Sequence, residues 1–222
     1  MMRLGLIGGL GVPAGIHYYE SIARAARGTN TFPLLLAHAD LETTRNFVVA
    51  GDVAGLSEYL AGFLTSLSRA GATVGAIAAV TPHVCLEQLR AASPIPIIDM
   101  PAALNAELKK LDLHRIALFG TSFVVETDLF GYLDVEAVRP SPEEIADLDS
   151  IYLQLARGAK GTQQDRERVS GIAYRLLDRE GVEAIVLAGT DFVALYDSDP
   201  PEFRAVDASR VHVDAICATL LA

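Results

Sequence analysis

Three short segments hold the residue types that could do chemistry. The first is Gly9-Leu10-Gly11-Val12-Pro13-Ala14, a G-x-G-x-x-A turn behind a short apolar run. Such a turn offers the open backbone N–H groups of a helix N-terminus to an anion. It would suit the pyrophosphate of a dinucleotide, with Asp40 placed as a ribose-binding acid, and it would suit a carboxylate equally well. The second is Thr81-Pro82-His83, and the third is Thr190-Asp191 behind Ala188-Gly189. The plain structural reading of both is helix capping, with proline in the first turn. Their position at the ends of β runs makes His83, Asp191, Thr81 and Thr190 candidates for acid–base work at a cleft. His17, beside Tyr18-Tyr19, reads as packing. The two cysteines are too few for a disulfide framework. Cys85 meets Leu89 at i, i+4 and reads as core, although the start of a helix would lower a thiol pKa. Cys217, in the apolar stretch 215–222, also reads as core. No spacing of His, Cys, Asp or Glu suggests a metal site, and His114 and His212 show no partner pattern.

These residues need a scaffold, and the rest of the chain supplies its outline. Residues 3–8, 33–38, 73–79, 95–98, 115–119 and 184–188 read as strands and alternate with helical stretches. Pro13 opens a helix that Gly28 closes. Leu56, Leu60, Phe63, Leu64 and Leu67 fall at helical spacing within 52–70, with Gly71 as the stop. This alternation predicts parallel sheets with helices on their faces. RLGLIG at 3–8 is echoed by RIALFG at 115–120, and Thr81 by Thr190, so the fold class is α/β with two pseudo-symmetric lobes and a ligand cleft between them. The expected lobes are residues 1–98 with 207–222, and 99–206. The chain of 222 residues is 51% hydrophobic, with 18 Lys and Arg against 28 Asp and Glu. That net charge of −10 argues against nucleic-acid or anionic-membrane partners. No apolar run reaches membrane-spanning length, and a soluble cytoplasmic protein is expected.

The motifs resemble the aspartate/glutamate racemase superfamily, in the branch that includes arylmalonate decarboxylases, hydantoin racemases and maleate isomerases. The resemblance rests on Gly5-Leu6-Ile7-Gly8-Gly9-Leu10-Gly11 with Tyr18-Tyr19, and on residues 40–52 with Arg45 and Gly51. It continues through Phe119-Gly120-Thr121, Ile151-Tyr152 to Lys160, and Leu187-Ala188-Gly189-Thr190-Asp191. It implies a cofactor-independent active site in a homodimer. It further implies that Gly9, Gly11, Arg45, Thr121 and Lys160 bind a small carboxylate or amino-acid-like substrate. The two positions that carry the racemases' catalytic cysteines are Ala79 and Gly189 here. Neither holds a proton, so a two-thiol racemisation cannot run there. The leading expectation is an isomerase, lyase or decarboxylase using His83 and Asp191 for non-thiol acid–base chemistry. A catalytically inactive carboxylate-binding homologue is the alternative, and a nucleotide-dependent oxidoreductase the third.

Overall fold

The computed structural model describes residues 2–27, 34–196 and 199–221. The predicted roles of Gly28 and Pro33 lie outside the described residues. In the first sheet β1 (Leu4–Gly8) runs between β2 (Leu34–His38) and β3 (Val74–Ile77), all parallel. In the second, β4 (Arg115–Phe119) and β6 (Ala184–Leu187) are central, and β5 (Glu136–Val138) and β7 (Ala205–Asp207) are the edges, again all parallel. Parallel strands must be covered on both faces, which is why β1, β3 and β6 are apolar and buried at every position.

The period of two in these strands sorts their side chains between cores. Leu4, Leu6, Val74 and Ala76 share one core with Ile116, Leu118, Ala184 and Val186 of the other sheet. Into that shared core pack α1 (Val12–Ala25), α5 (Met100–Lys110) and α10 (Ala208–Leu221). The alternate residues Ile7 and Ile77 face α3 (Val53–Arg69) through Leu56, Leu60 and Leu64. Ala117, Phe119, Ile185 and Leu187 face α7 (Pro142–Ala156) and α8 (Gln163–Arg179). The remaining helices are α2 (Leu41–Ala50), α4 (Leu86–Ala92), α6 (Ser122–Glu126) and α9 (Val193–Tyr196). Among the described residues, no helix is long and apolar enough to cross a membrane.

Local signals decide the boundaries. Pro13 lies in the first turn of α1, Asp52 accepts from Gly55 N–H at 2.8 Å to start α3, and Gly71 (φ 99°) follows its end. One strand expectation is corrected. Residues 95–98 reduce to a single bridge between Ile97 and Gly75, because Pro96 has no N–H to donate. The three-residue β5 was too short for a periodic signal, and an Arg115–Glu136 ion pair ties it to β4. Thr81 and Thr190 do not act as caps. Each heads a 3-10 turn (Thr81–Cys85 and Thr190–Phe192) whose N-terminus lacks a side-chain cap.

One polar pair is sealed inside the shared core. His212 Nε2 faces the Ile98 carbonyl at 2.9 Å and must donate to it, so Nδ1 is the acceptor for the Tyr18 hydroxyl at 2.9 Å. Burial, then the neighbouring His83, pushes the His212 pKa down to about 3, so the ring stays neutral. Tyr18→Phe should leave Nδ1 buried without a donor and lower stability by about 1–3 kcal/mol. Urea denaturation at pH 7.5 measures this, and an unchanged midpoint would contradict the hydrogen bond.

Candidate active site

The strand ends of both lobes open on one cavity of about 160 Å³. Helix α2 lines one wall with Leu41, Thr44, Arg45, Val48 and Val49, a single i, i+3, i+4, i+7, i+8 face. Asp40 starts this helix by accepting from Thr43 N–H at 2.7 Å. Helix α7 lines the facing wall with Asp149, Tyr152, Leu153 and Ala156, again one helical stripe. Thr81 and Thr121, one from each lobe, bring their hydroxyls to 3.5 Å at the junction.

Asp191 ties the lobes together behind this cavity. It is fully buried, accepts from Ala14 N–H at 3.0 Å through Oδ1, and accepts from the Tyr152 hydroxyl at 3.0 Å through Oδ2. Ala14 sits in the first turn of α1, so the acid satisfies one of that helix's open donors. Burial nevertheless dominates and raises the Asp191 pKa to about 6, against the pull of the two hydrogen bonds. Gly11 is required by space. A Cβ there would stand 2.0 Å from Asp191 Oδ2, while its φ of 179° is open to any residue. Gly9 is required by conformation, with φ at 84°.

The two resemblance-derived cysteine positions meet different fates. Ala79 lines the cavity. A Cβ on Gly189 would lie 2.5 Å from Tyr152 Cε2, so the tyrosine ring fills the space a side chain there would enter. Burial pushes the Tyr152 phenol well above its ordinary pKa, with Asp191 as a second cause.

Several expected site residues stand elsewhere. His83 is fully buried and does not line the cavity. Its Nδ1 donates to the Val80 carbonyl at 3.1 Å, and its Nε2 accepts from Met100 N–H at 3.4 Å. Both nitrogens being engaged, the expectation that it faces the cleft is corrected. Thr190 is also buried and off the cavity wall. Gly9 and Gly11 do not line the cavity, the Ala14 N–H that follows them is taken by Asp191, and Asp40 caps α2. Lys160 is exposed and absent from the wall, because Gly161 packs its loop against Leu195. Arg157, in the segment before it, does cross to the other lobe and donates to Glu42 at 3.0 Å. Cys85 donates to the Pro82 carbonyl at 3.1 Å, and burial raises its thiol to about 11, the opposite of activation. Arg45 does line the cavity, with Glu42 at 3.8 Å. Among the described residues no His, Cys, Asp and Glu cluster could hold a metal ion.

Asp149, Ser122 and Arg157 escaped the sequence reading, and Tyr152 entered it only as part of a matched segment. The usable signal was the i, i+3, i+4, i+7 spacing of Asp149, Tyr152, Leu153 and Ala156. It was hidden because α7 carries a second, wholly apolar stripe of Ile145, Leu148, Ile151 and Leu155.

The Asp191 pKa makes a stability prediction. The folded chain holds this proton to about pH 6, whereas the unfolded chain releases it near ~3.9. Ionisation therefore withdraws stability as pH rises between those values, and the loss is complete above them. Asp191→Asn keeps the shape without the charge. Its stability relative to the natural chain should rise by about 2–3 kcal/mol between pH 4 and pH 7.5. Denaturation series at both pH values test this, and a constant difference would contradict it.

Comparison with known proteins fits this architecture. Residues 7–216 match the family described as Asp/Glu/Hydantoin racemase. A Yersinia pestis protein provisionally designated an Asp/Glu racemase shares 22% identity at a TM-score of 0.84, with 100% of each chain covered. An aspartate racemase homologue from Pyrococcus horikoshii OT3 shares 23% at 0.77, over 99% of each chain. A Gly74Cys-Cys188Ser mutant of arylmalonate decarboxylase in the liganded form shares 14% at 0.55, over 97% of this chain and 92% of that one. With a family match over nearly its whole length and the two-lobed fold to accompany it, the chain belongs to the Asp/Glu/Hydantoin racemase family.

Proposed function

We propose that this chain is a cofactor-independent lyase or isomerase acting on a small carboxylate, and that one-faced protonation after decarboxylation is the reaction its cleft suits best. The observation that carries this reading is the inequality of the walls. Tyr152, hydrogen-bonded to Asp191, is a proton carrier on one side, and Ala79 on the other carries none. Racemisation needs a carrier on each face, whereas protonation of a carbanion needs one.

The step balances as follows. The bond to the departing carboxylate breaks, carbon dioxide leaves, and the electron pair stays on the neighbouring carbon. That carbon takes the Tyr152 hydroxyl proton, and the proton of Asp191 moves to the phenol oxygen. Asp191 is left as an anion facing Ala14 N–H, and after product release a proton returns to it from water in the cavity by way of the Tyr152 hydroxyl, which lines that cavity and bonds Asp191. Tyr152 beside an ionised Asp191 would be a poor donor, because two adjacent negative charges would result. A protonated Asp191 removes that obstacle, and its pKa of about 6 keeps the form accessible. Arg45 grips the retained carboxylate in this reading, and Thr81 and Thr121 line the space beside it. The free thiols Cys85 and Cys217 suit the reducing cytoplasm.

The test uses 2-alkyl- and 2-phenylmalonates in D2O, followed by carbon dioxide release and by deuterium at the new C–H bond. One enantiomer of product should form, and kcat should fall as pH rises above about 6. Tyr152→Phe should lower kcat about a hundredfold or more while the ring still packs on Gly189. Arg45→Ala should weaken binding about ten- to a hundredfold. Aspartate and glutamate enantiomers should keep their circular dichroism signal over a day. Loss of that signal would overturn the one-carrier mechanism. Carboxylate binding without turnover would favour a catalytically inactive binding homologue.

A further inference from the structure

We propose that Arg157 is a positioning residue: from outside the cavity it draws Glu42 away from Arg45 and so keeps that cation free for the substrate carboxylate. This rests on the reading that Arg45 grips a carboxylate, and it adds what leaves the guanidinium open to one.

Glu42 and Arg45 lie three residues apart on α2, a spacing at which their side chains can meet. They do not close on each other. Arg45 Nη1 stands 3.8 Å from Glu42 Oε2, too far for a hydrogen bond, and this is the one ion pair of Arg45 among the described residues. The other oxygen of Glu42 is engaged elsewhere. Its Oε1 accepts from Arg157 Nη2 at 3.0 Å and from Arg157 Nε at 3.3 Å, both across the lobe junction. Arg45 lines the cavity, whereas Glu42 and Arg157 do not. Glu42 follows Leu41 and Arg157 follows Ala156, wall residues of α2 and α7, so the pair bridges the rim between those two walls.

The three side chains make a row of cation, anion and cation. Two donors hold the Glu42 carboxylate to Arg157, against one long contact to Arg45. With Arg157 removed, Arg45 is the one remaining ion-pair partner of Glu42 among the described residues, and nothing opposes closure of the i, i+3 pair. A closed pair occupies the fork that a substrate carboxylate needs. It also neutralises the one cation among the described residues that line the cavity. With a net charge of −10, the chain has no surplus of positive charge to compensate. All three side chains are about half exposed, so the interaction is screened and its effect on binding is moderate. Exposed pairs add little to stability, which places the consequence of this one in the availability of Arg45 rather than in folding.

The experiment is calorimetric titration of the full chain and its variants with phenylacetate and 3-methylbutyrate at low ionic strength. Arg157→Ala should weaken both acids about three- to fivefold and shift the melting temperature by no more than about 4 °C. Glu42→Gln, which removes the competing anion, should tighten both about two- to threefold. The combination decides the matter. Arg157→Ala introduced into the Glu42→Gln chain should change affinity by less than about twofold, because no anion remains to be held away. A loss as large as in the natural chain would show that Arg157 attracts anions at a distance, and would overturn the proposal. So would an unchanged affinity in Arg157→Ala while Arg45→Ala weakens binding, and the carboxylate grip would then stand. An unchanged affinity in Arg45→Ala, or failure of both acids to bind the natural chain, would overturn the grip and this inference together.

Discussion

The position of the Asp191 carboxylate constrains most of what surrounds it. It leaves the end of β6, crosses the junction between the lobes, and accepts one hydrogen bond from the first turn of α1 and another from Tyr152 on α7. Taking a carboxylate out of water is expensive, and its two donors only partly offset that cost, as a pKa raised to about 6 indicates. The arrangement persists because alternatives are sterically closed. Gly11 leaves no room for a side chain above the carboxylate, and Gly189 leaves the space that the Tyr152 ring fills. Two absent side chains thus create the site for a buried acid and a phenol.

The ion pairs across the same junction do not bear this load. Arg157 and Glu42 are each about half exposed, and exposed pairs contribute only about 0–1 kcal/mol. The lobes are joined instead by the core that the inner faces of both sheets share, with α1, α5 and α10 packed into it. A rigid junction of this kind suits a site whose walls come from different lobes, since proton transfer depends on fixed distances. It also explains why His83 and His212 are structural. They lie inside the shared core with their ring nitrogens matched to backbone groups and Tyr18, and burial lowers the pKa of each.

No cysteine lies among the described residues that line the cleft. Ala79 makes one wall inert, Tyr152 supplies a hydroxyl on the other, and Cys85 sits in the core with its thiol raised to about 11. One N–H of the turn at α1 is used internally by Asp191, and Arg45 is the one cation among the described residues that line the cavity.

Much of the architecture was legible in the sequence for a local reason. Strand alternation, glycine stops and acidic caps act over a few neighbours, so β1, β4, β6 and α3 could be placed to within a residue or two. The echo between 3–8 and 115–120 gave the two lobes, and the inert Ala79 and Gly189 gave the absence of thiols at those positions. What the sequence could not decide was which polar groups would meet. His83 and Asp191 looked equivalent at the ends of two strands, yet one turned into the core and the other towards Tyr152 from 39 residues away. Lys160 and Arg45 looked equivalent as cations, yet Gly161 against Leu195 carries the lysine's loop off the cavity wall while the α2 stripe brings the arginine to it. Those choices depend on the packing of helices distant in sequence. Chain-local propensity fixes the elements, but only their tertiary docking determines which side of each one a cavity can reach.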